Sequence, residues 1–174
     1  MATNLYPSSL VYEDGTEVRL CPLEKTKGKA LYVSADGRCF SFYRRVLRLV
    51  KPQADTSKTN RFNGHRKQKY LRMTYYGNIL VHRAVALVWV ERLDTRLCHT
   101  EQMVVDHLNG ITTDNRVENL QWVTRKENEK RAKLLRILRR IGRDPRLMSR
   151  EELLEIFNKY YFANNNRSPI TDNQ

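Results

Sequence analysis

An α+β chain is what the sequence predicts, and three observations carry the expectation. Short runs that alternate apolar and polar residues recur through the first eighty residues. A strand–loop–strand pattern then occupies residues 103–123, and two helix-start signatures follow, at Thr124-Arg125-Lys126-Glu127 and Ser149-Arg150-Glu151-Glu152. Strands gathered ahead of helices, instead of alternating with them, indicate antiparallel sheet with segregated helices. The expected order is a small antiparallel β region, a central ββα unit and a basic helical extension.

The first hairpin is written as Leu10-Val11-Tyr12-Glu13, a turn at Asp14-Gly15, then Val18-Arg19-Leu20. The second is Leu31-Tyr32-Val33-Ser34, a turn at Ala35-Asp36-Gly37, then Cys39-Phe40-Ser41-Phe42, with Gly37 free to take the positive φ of a tight turn. Residues 46–50 form one more strand, ended by Lys51-Pro52. The polar, basic stretch 53–68 has no period and reads as a mobile loop, with Lys58, Arg61, His65, Arg66, Lys67 and neighbouring Lys69 able to reach phosphates. Order returns as a hairpin over 70–81, turning at Gly77-Asn78. Residues 82–90 read as a short buried helix, with strand as the competitor because of its valines. Met103-Val104-Val105 enters the central unit, 108–118 is loop, and Leu120 to Val123 is the returning strand. The next helix runs to Ile141 and stops at Gly142, opened by a capping box in which Thr124 accepts from the Glu127 amide and the Glu127 carboxylate reaches back. Ser149 to Glu152 repeats the box and opens a last helix. This divides the chain into a hairpin segment (1–30), a β-rich module with a short helix (31–90), the central unit with its basic helix (101–142), a C-terminal helix (143–163) and a disordered tail (164–174).

Composition narrows the partner. The 174 residues carry a formal net charge of +13, and the sequence pI is about 9.9, which calls for a polyanion to relieve the mutual repulsion of so many cations. Nucleic acid fits. A membrane span needs about 18 consecutive apolar residues, and the densest apolar stretch, 84–90, is far shorter, so no membrane association is expected. No secretion signal is evident at the start, and the chain is expected in a reducing cytosol. Cys21, Cys39 and Cys98 then read as free thiols, and none forms the Cys-x-x-Cys pair of a zinc ribbon.

The chemistry concentrates in Val104-Val105-Asp106-His107, Asn119-Leu120-Gln121-Trp122-Val123-Thr124 and Asn128. Asp106 and Asn128 offer hard oxygens and leave the remaining octahedral positions to water and phosphate, which suits one Mg²⁺ or Mn²⁺ ion. His107, with an ordinary pKa of ~6.5, is largely neutral at cytosolic pH and suits a general base that takes a proton from attacking water. Asn119 is placed to accept the Nδ1 proton of His107 and leave Nε2 facing that water. Adjacent strand residues point to opposite faces, so Asp106 and His107 can serve one site only where the strand ends. Trp122 reads as core beneath the hairpin, and His82 as a structural hydrogen-bonding residue. Arg125, Lys126, Lys130, Arg131 and Lys133 are expected to hold nucleic-acid phosphates, positioning the partner without reading its sequence.

These residues, in this order, resemble the HNH endonucleases, and specifically the phage and intron-encoded homing type. The similarity lies in Val104-Val105-Asp106-His107-x-x-Gly110, in Asn115-x-x-x-Asn119-Leu120-x-Trp122-Val123-Thr124 and in Asn128. Upstream, Tyr32-Val33-Ser34-x-x-Gly37, Lys51-Pro52 and Val81-His82-Arg83-Ala84-Val85-Ala86 resemble the N-terminal module that commonly precedes this unit. The resemblance implies a ββα-metal core and divalent-ion-dependent cleavage of double-stranded DNA to 5′-phosphate and 3′-hydroxyl ends, with no organic cofactor. It implies His107 as base, Asp106 and Asn128 as ligands and Asn119 as the orienting residue. The last family position is often histidine; Asn128 stands there, as in the homing type. Many homing relatives continue into a helix-turn-helix, whereas two helices and a tail follow here. Two other readings share the scaffold: a DNA-binding or regulatory protein that does not cut, and a nuclease acting beside phage packaging machinery.

Overall fold

The computed structural model of the chain describes residues 6–22, 30–54, 70–91 and 103–165. The basic stretch 55–69, with Arg66 and Lys67, the connection 92–102 and the tail 166–174 lie outside the described residues. Three sheets and three helices are described. Strands β1 (Ser9–Val11), β2 (Glu17–Leu20), β3 (Leu31–Ser34), β4 (Cys39–Tyr43) and β5 (Val46–Val50) form an antiparallel meander in chain order. Strands β6 (Gln53–Ala54), β7 (Leu71–Met73) and β8 (Ile79–Leu80) form a second antiparallel sheet, which leads directly into α1 (Val81–Trp89). Strands β9 (Met103–His107) and β10 (Leu120–Thr124) make a hairpin, followed by α2 (Arg125–Arg140) and α3 (Arg150–Asn165).

Most elements fall where the hydrophobic pattern puts them. In 82–90 helix prevails over strand because Val81, Ala84 and Val85, spaced three and four apart, are all fully buried on one side. The boundary drawn at residue 30 does not separate structural units, since β2 pairs with β3 in register Val18↔Ser34 and Leu20↔Tyr32. The polar start of the stretch expected as loop contains β6, which pairs Gln53 with Arg72 and Ala54 with Leu71. The β4–β5 turn is made by Arg44 and Arg45, both with positive φ (49° and 62°), a conformation that Asn and Gly usually supply.

The caps show how side chains replace missing backbone bonds. At the start of α3, Ser149 Oγ accepts from the Glu152 amide at 3.1 Å and Glu152 Oε2 accepts from the Ser149 amide at 2.8 Å, a full reciprocal box. At α2 only half of it forms. Thr124 Oγ1 accepts from the Glu127 amide at 3.1 Å, but the Glu127 carboxylate turns to the guanidinium of Arg131, at 2.7 Å, instead of reaching back. A charged partner one turn along the helix outweighs a neutral amide.

One core unites what the sequence divides into modules. Leu31 and Val33 of β3, Met73 of β7, Val81 and Val85 of α1, and Leu120 and Trp122 of β10 belong to a single buried cluster. Two indoles pin it: Trp122 donates to the Ala86 carbonyl at 3.3 Å and Trp89 to the Val33 carbonyl at 3.0 Å. A second cluster, with Leu108, Leu134, Leu138, Leu153 and Phe157, joins α2 and α3 below the β9–β10 loop. Among the described residues no helix is long and apolar enough to cross a membrane.

The contact of most consequence for the loop between β9 and β10 comes from the far sheet. The β3–β4 turn lies so close to it that a Cβ built on Gly37 would fall 3.0 Å from the Asn115 backbone, and the Val117 amide donates to the Ala35 carbonyl at 2.8 Å. Gly37 also has φ +87°, so alanine there meets both strain and backbone. Gly37→Ala is expected to lower stability by about 1–3 kcal/mol, read as a reduced urea midpoint; an unchanged midpoint would mean that the turn does not press on the loop.

Candidate active site

Asp106 and His107 are the last two residues of β9, paired across the hairpin with Gln121 and Leu120. Immediately after them the chain turns: the Gly110 amide donates to the His107 carbonyl at 2.8 Å, and the Leu108 amide to the Asn119 carbonyl at 2.9 Å. The strand thus ends where alternation would otherwise have sent the two side chains to opposite faces. Both line one cavity of about 370 Å³, together with Asn128 from the first turn of α2, Tyr70, Arg136 and Arg139. The structure therefore brings Asp106, His107 and Asn128 together.

The residue that holds the imidazole is not the one expected. His107 Nε2 lies 3.1 Å from Oδ1 of Asn115 in a buried contact, so Nε2 carries the proton it donates and Nδ1 keeps the lone pair. Asn119 is engaged elsewhere: its Oδ1 accepts from the Asn109 amide at 3.0 Å and its Nδ2 donates to the Asp114 carbonyl at 2.8 Å. It braces the loop that presents Asn115, with help from Asn109, which donates to Asp114 Oδ2 at 2.9 Å. The Asn119 backbone carbonyl is already tied to the Leu108 amide, which locks its side chain into the loop and away from the ring. His107 is 4 % exposed, and burial pulls its pKa below 6.5, against the opposing influence of Asn115 and the Asp114 charge. It is neutral at pH 7.

Asp106 is a carboxylate kept short of partners. Its Oδ2 is buried without a hydrogen bond, and the nearest cation, Nη1 of Arg131, stands 3.9 Å away. Burial outweighs that guanidinium and the His107 amide, and the carboxyl is pushed up to about 6. Arg131 itself cannot serve as the phosphate contact that its sequence position suggested. It is 6 % exposed, donates to Gln121 Oε1 at 2.9 Å and to Glu127 Oε1 at 2.7 Å, and has its guanidinium 4.7 Å from the Phe157 ring centroid of α3. Its place on α2 faces the sheet and α3, where the charge is consumed internally.

Helix geometry sorts the other cations. Counting about 100° per residue, Asn128, Ala132, Leu135 and Arg139 form one stripe, with Arg136 and Arg125 at its edge. Lys126, Lys130 and Lys133 lie on the other side, and Lys130 lines a separate groove with Phe157 and Tyr160. Arg125 and Lys126 are exposed, as is Lys133. Arg139 reaches over the site loop, its Nη2 only 2.7 Å from where a Cβ on Gly110 would stand. Arg136 and Arg139 are thus cavity residues, and the i+8 and i+11 spacing from Asn128 is the sequence signal for them. Tyr70, Asn115 and His82 are further site residues that sequence reasoning missed. His82 is 6 % exposed, and its Nδ1 has no hydrogen bond, so the expected hydrogen-bonding role is not what this nitrogen does.

The residues present fit a hard divalent cation. An orphaned carboxylate oxygen and a carboxamide share one cavity, and among the described residues no three of His, Cys, Asp and Glu gather as a ligand cluster of the zinc kind. That is the pattern of an ion held by few protein oxygens.

Comparison with known proteins finds likenesses over this segment. Residues 99–130 match the family model described as HNH endonuclease. An uncharacterized HNH endonuclease of Acanthamoeba polyphaga mimivirus is 46% identical over 52 residues, 30% of this chain and 12% of that protein, so the chain spans about an eighth of the relative's length. A solved structure, described as DNA binding and cleavage by the HNH homing endonuclease I-HmuI, aligns over 63% of this chain and 60% of its own at 26% identity, with a TM-score of 0.40. The resemblance read from the motifs to the HNH endonucleases holds.

A raised carboxyl pKa means that the native state binds the proton more tightly than the unfolded chain does. Asp106 therefore detracts from stability progressively as pH rises from 3.8 through about 6, by on the order of 3 kcal/mol at neutral pH. His82, held down to about 3 by burial first and then by His107 and Arg83, works in the opposite sense over pH 3–6.5, so the difference between variants is the useful quantity. In metal-free buffer Asp106→Asn is expected to gain stability relative to the parent between pH 4 and 7. Parallel pH–stability curves would show that Asp106 is not desolvated.

Proposed function

We propose that this chain is a divalent-metal-dependent DNA endonuclease that hydrolyses phosphodiester bonds of double-stranded DNA, with His107 as general base and Asp106 and Asn128 as the protein ligands of one Mg²⁺ or Mn²⁺ ion. The observation that carries the reading is the buried Asp106 Oδ2, without a hydrogen bond, in the cavity it shares with His107 and Asn128. Leaving a buried carboxylate oxygen unpaired is costly unless something else completes it. When bound, the ion supplies charge to the phosphate oxygens and to the departing 3′ oxygen.

The chain's own residues account for the remaining steps. Asn115 holds the Nε2–H of His107, so the Nδ1 lone pair takes the proton of the attacking water as its oxygen bonds to phosphorus. The bond from phosphorus to the 3′ oxygen breaks and that oxygen takes up a proton from solvent, leaving 5′-phosphate and 3′-hydroxyl ends. Arg136 and Arg139 hold non-bridging oxygens of the scissile or adjacent phosphate, and the net charge of +13 draws the duplex in. Arg125, at the edge of the same stripe of α2, extends the contact along the duplex, which fixes its position and not its sequence, whereas Lys126 and Lys133 face away from it.

Supercoiled plasmid with Mg²⁺ or Mn²⁺ tests the reading: nicked or linear product is expected, and none with chelator. Asp106→Ala and His107→Ala should each lower cleavage by about 100-fold or more while the gel-shift affinity stays near that of the parent. An uncut plasmid with every divalent ion defeats the reading, and full activity in His107→Ala defeats the assigned base. Removing either arginine, in Arg136→Ala or Arg139→Ala, should raise KM and reduce the salt slope of binding by about 1; an unchanged slope would free that residue from phosphate contact.

A further inference from the structure

Behind the cavity three rings from three elements meet. His82 stands in the first turn of α1, Tyr70 just ahead of β7 and His107 at the end of β9. The His82 and His107 ring centroids are 5.0 Å apart with the planes at 66°, and Tyr70 lies 5.1 Å from His82 and 6.0 Å from His107. Asn115 restrains His107 in the plane of its ring, through Nε2. It does not by itself stop the ring from tilting about that bond. The edge-to-face contact with His82 opposes the tilt from a perpendicular direction, and Tyr70 closes the third side.

The Nδ1 of His82 is buried without a hydrogen bond, and its ring packs against the other two rings. A buried nitrogen left unpaired disfavours the fold, and an aliphatic side chain would fill the space without that cost. What an aliphatic side chain cannot supply is a flat wall at edge-to-face distance. On the reading of His107 as the base, we propose that His82 is a positioning residue that fixes the plane of the His107 imidazole, so that α1 of the N-terminal module takes part in the chemistry of the β9–β10 hairpin.

Two measurements on the full chain test this, one of them independent of cleavage. In NMR of ¹³C-histidine-labelled protein, the ring C–H order parameter of His107 in the parent should be close to that of the rigid backbone around it. In His82→Ala it should fall as the ring gains freedom to tilt about the Asn115 bond, and in His82→Phe it should return toward the parent value. In plasmid nicking, His82→Ala should lose about tenfold or more in kcat with KM within about twofold, and His82→Phe should recover most of the loss. An unchanged His107 ring order parameter in folded His82→Ala overturns the proposal, as does a His82→Phe variant no better than His82→Ala. Should the parent cut nothing, the nuclease reading falls, while the NMR comparison still decides whether His82 sets the ring.

Discussion

The arrangement turns on a single desolvated charge, the Asp106 carboxylate. It sits at the end of β9 with one oxygen unpaired and the Arg131 guanidinium at 3.9 Å, too far for a hydrogen bond. Moving Arg131 closer would neutralise the carboxylate; removing it would strand Asp106 and Glu127 beside a lost cation, a disruption of the kind that costs several kcal/mol in buried networks. Arg131 is held at its distance by Gln121, by Glu127 and by the face of Phe157. The C-terminal helix therefore bears on the site through Phe157, and the diversion of Glu127 away from its capping role belongs to the same network.

The second constraint is the loop between β9 and β10. Short backbone turns are joined in it by side-chain bonds of Asn109, Asp114 and Asn119, and the β3–β4 turn presses against it at Asn115. The precision needed to point one imidazole comes from both directions, from inside the loop and from the sheet beyond it. This explains why the two regions share one hydrophobic core: Trp122 donates to the α1 backbone, and α1 in turn presents His82 to His107. A separable N-terminal module would leave Asn115 without its support.

Strands, helices and caps were legible because each depends on residues near in sequence. Alternation marked β1 to β5, the Gly37 turn followed from its backbone freedom, and Ser149 to Glu152 announced α3. The β4–β5 turn was less legible, since Arg44 and Arg45 adopt left-handed backbone that their residue types do not advertise. Asp106, His107 and Asn128 could be gathered from spacing alone, because a strand end, a short loop and the first turn of a helix leave little freedom in where they meet. Asn119 was misassigned for a plain reason: Asn115 and Asn119 lie four residues apart in the same loop, and sequence does not say which carboxamide faces inward.

What the sequence by itself determined, then, is the family resemblance, the chemical types at the site and the basic surface that a polyanion would meet. What only the tertiary structure decided is which groups are consumed and which are left over. Arg131 and Lys133 are two residues apart and chemically alike as phosphate contacts, but one is sealed under Phe157 and the other is exposed. His82 is twenty-five residues from His107 and touches it. Burial and partnership are properties of packed neighbours distant along the chain, and they set the charge state, the free lone pair and the orphaned oxygen on which the chemistry rests.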